Sequence, residues 1–220
     1  MLTYCVGFDH LVWARRVSGS EAPVGPDPVA VGTAKRRLRV ELLAARRAMD
    51  PGECHRLDGD LVAALVAWLD ARHPMTVAGY VPMPGEPGGP DLPARLAAHA
   101  TRVLLPVLRP DNDLDWAVYQ GELAPAGRGL AEPPGGRLGI DAVAGAGLVV
   151  VPAVAVDARG IRLGRGGGSY DRALSRVGPD ATVLALLYPG ERVDRVPALA
   201  HDRPVHGVVL GGRVTVLGTP

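Results

Sequence analysis

The chain's chemistry is most concentrated in ten residues, Arg162-Leu163-Gly164-Arg165-Gly166-Gly167-Gly168-Ser169-Tyr170-Asp171. Four of the ten are glycine. With no Cβ, glycine lets the backbone adopt φ > 0 and lie close to a ligand. Successive N–H groups in such a loop form a concavity suited to an anion. The helical pattern that follows, Tyr170 to Leu174, adds the partial positive charge of a helix start. Arg162 and Arg165 bring full positive charge to the same place. Asp171 offers a hard oxygen ligand, suited to a Mg²⁺ carried by phosphates. This combination reads as a nucleotide phosphate site, because an ordinary surface loop rarely gathers two arginines around a glycine run.

Two familiar glycine motifs are weighed against it. Gly-x-x-x-x-Gly-Lys-Ser/Thr is excluded, since the loop holds no lysine. The dinucleotide pattern Gly-x-Gly-x-x-Gly is approached by Gly164 to Gly168, but Ser169 stands where its third glycine belongs. Its acidic ribose partner would fall about 20 residues on, where Glu191 is the candidate. A dinucleotide-dependent oxidoreductase therefore stays open as the alternative.

Of the chain's 24 basic side chains only Lys35 is a lysine. A lysine is a compact, flexible point charge, useful against a phosphate, whereas arginine is a planar fork. Lys35, Arg39 and Arg46 form one stripe at helical spacing, beside an apolar stripe of Leu38, Leu42, Ala45 and Met49. The basic helix could also contact RNA, but the net charge of +1 gives no global field for nucleic acid.

The elements that must position these groups follow from periodicity and punctuation. Residues 1–32 read as a flexible N-terminal extension, since Ser18 to Gly32 is rich in Gly, Pro and Ser and the Leu11–Trp13 patch is too short to fold alone. Residues 33–220 read as a single α/β domain. Its first helix is expected over 34–49 with Thr33 as N-cap. Asp50-Pro51-Gly52-Glu53 starts a second helix with a capping pair, and Leu57, Leu61, Leu65 and Trp68 form its core face. Strands are expected at 76–81, 102–108, 115–119, 148–156, 181–188, 205–210 and 213–217, with a short helix at 91–100 capped by Asp91. This alternation predicts a three-layer α/β domain with a largely parallel central sheet flanked by helices. Ligands in such sheets bind outside the carboxyl ends of the strands, where three polar loops fall: 82–89, 159–171 and 189–202.

Composition adds exclusions. The two cysteines make no ligand spacing, and the scattered histidines make no zinc site. No apolar run approaches the ~18 residues needed to span a bilayer. No secretory signal is expected, and a cytoplasmic setting is.

Four patches in order resemble the 5-formyltetrahydrofolate cyclo-ligase family, and cover the chain from about Thr33 onward. They are Lys35-Arg-Arg-Leu38-Arg39; Tyr80-Val-Pro-Met-Pro-Gly-Glu86; Val151-Pro152 through Asp157 and Gly160 to Arg162–Asp171; and Val196-Pro197-Ala-Leu-Ala-His201-Asp202. The resemblance implies ATP-dependent closure of 5-formyltetrahydrofolate to 5,10-methenyltetrahydrofolate through a phosphorylated formyl group, with release of ADP and phosphate. It implies that Lys35, Arg39, Arg162, Leu163, Gly164 to Gly168, Ser169 and Tyr170 hold ATP, with Lys35 and Arg165 acting in catalysis. It implies that Val81, Met83, Glu86, Ser169 and Tyr170 meet the folate, and that Asp171 and Asp202 hold Mg²⁺. The implied partners are the two small molecules, with no nucleic acid and no membrane, in a monomer or weak dimer. Ser169 departs from the family, which usually carries a tyrosine there. A relative that binds ATP and a folate-like ligand with lost or altered activity is the alternative within the family.

Overall fold

The computed structural model describes residues 26–217. Residues 1–25, which hold most of the expected extension with Leu11–Trp13 and Cys5, lie outside the described residues, as do 218–220. The α-helices are α1 (Pro28–Arg47), α2 (Pro51–Arg72), α3 (Leu92–His99) and α4 (Ser169–Leu174). The first strands are β1 (Thr76–Ala78), β2 (Arg102–Leu108), β3 (Leu114–Val118), β4 (Ala124–Pro125) and β5 (Ala131–Glu132). They are followed by β6 (Leu148–Pro152), β7 (Ala155–Val156), β8 (Arg162–Leu163), β9 (Thr182–Leu186), β10 (Gly207–Leu210) and β11 (Arg213–Val216).

Seven strands form one sheet in the order β11-β10-β9-β6-β1-β2-β3. The inner pairs are parallel, and the edge strands β3 and β11 are antiparallel to their neighbours. Side chains alternate across the sheet, as period 2 demands. Val103, Leu105, Leu148, Val150 and Leu184 join the core beneath α2 and α3. Leu104, Val149, Val151 and Ala185 join the core on the α4 side. Both faces are covered, so the inner strands are apolar throughout and not alternating. The three-layer α/β reading of the sequence stands.

The helix starts show which local signals won. Asp27 caps α1, its carboxylate accepting the Val29 N–H at 2.9 Å, with Pro28 at the first position. Residues 28–32, expected in the extension, are therefore helical. Thr33 lies inside α1, where its hydroxyl accepts from Arg36 at 2.9 Å. Gly32, which argued for a later start, is tolerated at a cost of about 1 kcal/mol. Asp50 caps α2 as its sequence predicts, accepting the N–H groups of Gly52 and Glu53. Asp91 makes no side-chain cap on α3, since its own backbone is already helical.

The expected strand over 148–156 is two pieces. β6 ends at Pro152, and the chain then forms a small hairpin in which β7 pairs antiparallel with β8. The buried carboxylate of Asp157 holds that hairpin's turn. Its Oδ1 accepts the N–H groups of Arg159 and Ile161, and its Oδ2 accepts the Val196 N–H and the Arg159 guanidinium. Burial works against the charge, but these bonds outweigh it and hold the carboxyl below its usual value. Gly160 completes the turn at φ 77°, where a Cβ would collide with the Val205 carbonyl.

Candidate active site

Strand order sets the site. β1 lies between β2 and β6, so the chain leaves β1 to one side and returns to its other side. A parallel sheet opens a crevice at such a reversal, outside the carboxyl ends of its strands. The Val81–Glu86 loop leaves β1 there, and the β7–β8 hairpin that carries the glycine loop leaves β6. The expected residues Lys35, Arg39, Val81, Met83, Glu86 and Asp202, with all of 162–171, line one cavity of about 520 Å³. That volume suits a small-molecule site.

The glycine loop is held from beneath by a buried arginine. Arg162 Nη1 donates to the Pro152 carbonyl and Nη2 to Asp171 Oδ1, both at 3.2 Å. Its guanidinium lies 5.7 Å from the centre of the Tyr170 ring. Among the described residues its buried Nε–H has no acceptor. Gly166 (φ 107°) and Gly168 (φ 70°) take backbone conformations open mainly to glycine. α4 starts directly after Gly168 and is only six residues long. Burial, then the charge of Glu86, pushes the Tyr170 hydroxyl far above its usual value, so this ring stays neutral.

The cationic stripe of α1 faces the body. Lys35 Nζ donates to both carboxylate oxygens of Asp202, at 2.5 and 2.6 Å. Arg39 Nε donates to the Gly164 carbonyl at 2.7 Å. Arg46 is buried, donating to Glu191 Oε1 at 2.7 Å and to the Ala153 carbonyl at 2.9 Å. Burial pushes the Glu191 carboxyl up to about 7, against the pull of Arg46. The apolar stripe is Leu38, Leu42 and Leu43, packed on Val154, Leu163 and Val196. Ala45, expected in it, is exposed, because the stripe turns toward Leu43.

Glu86 is buried, and its charge is fully engaged. Oε1 accepts from Arg165 Nε at 2.6 Å and Oε2 from the Met83 N–H at 3.0 Å. A second layer fixes its loop. The Tyr80 hydroxyl donates to the Pro87 carbonyl, the Tyr188 hydroxyl donates to Asp58 Oδ1 at 2.7 Å, and the Gly88 N–H donates to the same oxygen at 2.8 Å. Asp58 on α2 thus ties Tyr188, at the end of β9, to the Glu86 loop. Sequence reasoning missed Asp58 and Tyr188, and quoted Asp157 within a patch without giving it a role. An aspartate on a helix flank gives no local sign of a partner 130 residues away.

One wall of the cavity was also missed. Pro106, Leu108, Leu114 and Leu130 line it beside the β4–β5 hairpin, as do Arg128, Ala131 and Glu132. The Leu108 N–H donates to Glu132 Oε1 at 2.8 Å and fastens the hairpin there.

The two carboxylates expected to hold metal are not equivalent. Asp202 has both oxygens taken by Lys35, and Oδ2 also accepts the Leu199 N–H at 2.6 Å. Asp171 has one contact, to Arg162. Among the described residues no group of three or more His, Cys, Asp or Glu could hold an ion alone. Mg²⁺ needs no such cage when it rides on phosphates, taking one or two carboxylates and the phosphate oxygens. Asp171 fits that pattern. The dinucleotide alternative loses its acid, since Glu191 is buried against Arg46. The RNA alternative loses three cations, since Lys35, Arg39 and Arg46 are bonded inward. No helix of the described residues is long and apolar enough to cross a membrane.

Comparison with known proteins gives the family. The sequence profile of the 5-formyltetrahydrofolate cyclo-ligase family matches residues 31–211. A 5-formyltetrahydrofolate cyclo-ligase of Mycolicibacterium smegmatis is 39% identical over 178 residues, which is 76% of this chain and 89% of the relative. The enzyme of that name from Escherichia coli is 28% identical over 174 residues, covering 77% of this chain and 96% of the relative. The solved structure of Aquifex aeolicus 5,10-methenyltetrahydrofolate synthetase superposes with a TM-score of 0.72 at 27% identity, covering 84% of this chain and 94% of that one. The chain belongs to the 5-formyltetrahydrofolate cyclo-ligase family and is a ligase.

Proposed function

We propose that this family member binds ATP and 5-formyltetrahydrofolate side by side in the one cavity and closes the folate to 5,10-methenyltetrahydrofolate. The observation that carries the reading is the Arg165–Glu86 ion pair, which brings a cationic glycine loop and a buried carboxylate together at the sheet's reversal point.

A formamide carbon is a poor electrophile and its oxygen a poor leaving group. In this reading the formyl oxygen attacks the γ-phosphorus of ATP and ADP leaves. N10 then attacks the activated carbon, the C–O bond breaks to release phosphate, and the N10 proton is lost. Phosphoryl transfer asks mostly for positioning and charge stabilisation. The N–H groups of Gly164 to Gly168 supply fixed dipoles, and Arg162 and Arg165 supply charge. Lys35, swinging from Asp202, meets the phosphates as a point charge, while Arg39 keeps the loop in shape through Gly164. Glu86 accepts N–H donors of the pterin, and Val81, Met83, Ser169 and Tyr170 supply the surface it lies on. Asp171, and Asp202 once Lys35 has left it, would hold Mg²⁺, which neutralises phosphate charge when bound.

The test mixes the purified chain, Mg-ATP and 5-formyltetrahydrofolate and follows methenyl product by absorbance. Product should form only with both substrates. No product, with both ligands bound, would favour a relative whose chemistry has changed, and Ser169 is the departure that motivates that second reading.

A further inference from the structure

The cavity extends beyond the groups the chemistry needs. Pro106, Leu108, Leu114 and Leu130 line it beside the β4–β5 hairpin, and Arg128 of that hairpin lines it with them. Arg128 is exposed and sits in left-handed backbone (φ 61°, ψ 25°), a conformation unfavourable for a residue with a side chain. Its Nη1 donates to Asn112 Oδ1 at 2.7 Å. The Asn112 carbonyl in turn accepts from Arg172 at 2.6 Å. One turn between β2 and β3 thus gathers two guanidinium groups, one from the hairpin and one from α4.

Neither guanidinium is paired with a carboxylate among the described residues. Of the acids nearby, two face other arginines and one accepts a backbone N–H. Asp111 faces Arg109 at 3.4 Å, Asp113 holds Arg176 at 2.5 Å, and Glu132 accepts the Leu108 N–H. The wall therefore carries apolar side chains, with Glu132 fastened to the β2 backbone, and an arginine that no carboxylate pairs among the described residues.

We infer that Arg128 recognises a carboxylate of the folate's glutamate tail, with the apolar side chains of that wall taking the p-aminobenzoyl ring. The inference rests on the folate reading above. A pterin against Glu86 and Tyr170 is followed along the molecule by an aromatic ring and then by a dianion, and the wall presents matching surfaces. A planar guanidinium matches a carboxylate bidentately, where a lysine would offer a point charge.

The experiment compares 5-formyltetrahydrofolate with 5-formyltetrahydropteroate, which has no glutamate, in the full chain, Arg128→Gln and Arg128→Lys. The wild type should show a KM for the folate about three- to tenfold below that for the pteroate, since the contact is an exposed, charge-assisted one. That ratio should shrink toward one in R128Q and at high salt, and be partly kept in R128K. Equal KM values in the wild type would overturn the inference without any variant. So would a ratio unchanged in R128Q, or a change there in the KM for ATP alone, which would move Arg128 to the nucleotide. Turnover of neither compound would sink the folate reading itself, and this inference with it.

Discussion

Arg165 on the glycine loop and Glu86 on the loop after β1 are joined by a 2.6 Å ion pair across 79 residues of sequence. Arg165 is 43% exposed, and Glu86 is 7% exposed. In the proposed reading an arriving phosphate competes for the exposed partner and leaves the buried carboxylate in want of a donor, which the pterin brings. Binding of either substrate should therefore tighten the other, and linkage makes the effect reciprocal. In calorimetric titrations with a non-hydrolysable ATP analogue, the wild type should bind 5-formyltetrahydrofolate at least about fivefold more tightly when the analogue is present. Glu86→Gln should lose most of that coupling. Coupling that survives in E86Q would assign it to another contact.

Lys35→Arg keeps the charge but replaces a flexible ammonium with a rigid fork. Lys35 Nζ now sits between both oxygens of Asp202, a geometry suited to releasing a point charge toward phosphate. We expect the KM for ATP to rise about tenfold with the melting temperature unchanged. A wild-type KM for ATP would leave Lys35 as a structural ion pair.

The positions of Asp171 and Asp202 predict different responses to Mg²⁺. Asp171→Asn should lower turnover at low Mg²⁺ and recover in part as Mg²⁺ is raised. Asp202→Asn should lower turnover with less recovery, since it also loosens Lys35 and the Leu199–Asp202 turn. Normal activity of both variants at low Mg²⁺ would contradict the assignment of either carboxylate to the metal.

These contrasts show what the sequence could reveal. The glycine loop and the Glu86 loop were legible because glycine runs and strand ends are local signals. Arg162 was legible as a cation, but its place beneath the loop was not, since β6 stops at Pro152 and a hairpin intervenes. The pairing of Arg46 with Glu191 spans 145 residues, and nothing in either neighbourhood announces it. Leu108, Leu114 and Leu130 read as ordinary apolar positions. They become a cavity wall only through the β2–β3 register and the fastening of β5 to the Leu108 N–H.

Asp157→Asn should destabilise the domain by about 2–3 kcal/mol, because an amide turns donors toward the N–H groups and guanidinium that a carboxylate accepts. The folded carboxyl lies below its usual 3.8, so its contribution is complete above that value and lost as pH falls through the lower folded one. Melting temperature should therefore fall more steeply on acidification below about pH 4 in the wild type than in D157N. Parallel acid limbs would mean that Asp157 does not carry the difference.

Ser169→Tyr tests the departure from the family. The backbone N–H survives the change, and an aromatic face is added at the cavity wall. Such contacts contribute roughly 0.5–1.5 kcal/mol, so the KM for folate should fall about two- to tenfold with the KM for ATP unchanged. A shift confined to ATP would move this position to the nucleotide side.

The sheet also acts as a ruler. The Glu86 loop and the hairpin that carries the glycine loop start from adjacent strands whose register is fixed at Val77 against Leu148 and Ala78 against Val149. Neighbouring strands sit about 4.8 Å apart, and a one-residue slip would turn every side chain of β6 to the wrong face. The spacing between the two loop origins is thus held by the core rather than by the loops. A loop residue can be exchanged while the anchorage of its loop stays put. A change of loop residue is therefore cheap in this scaffold, whereas a change in how far apart the two loops are held would require rebuilding the sheet.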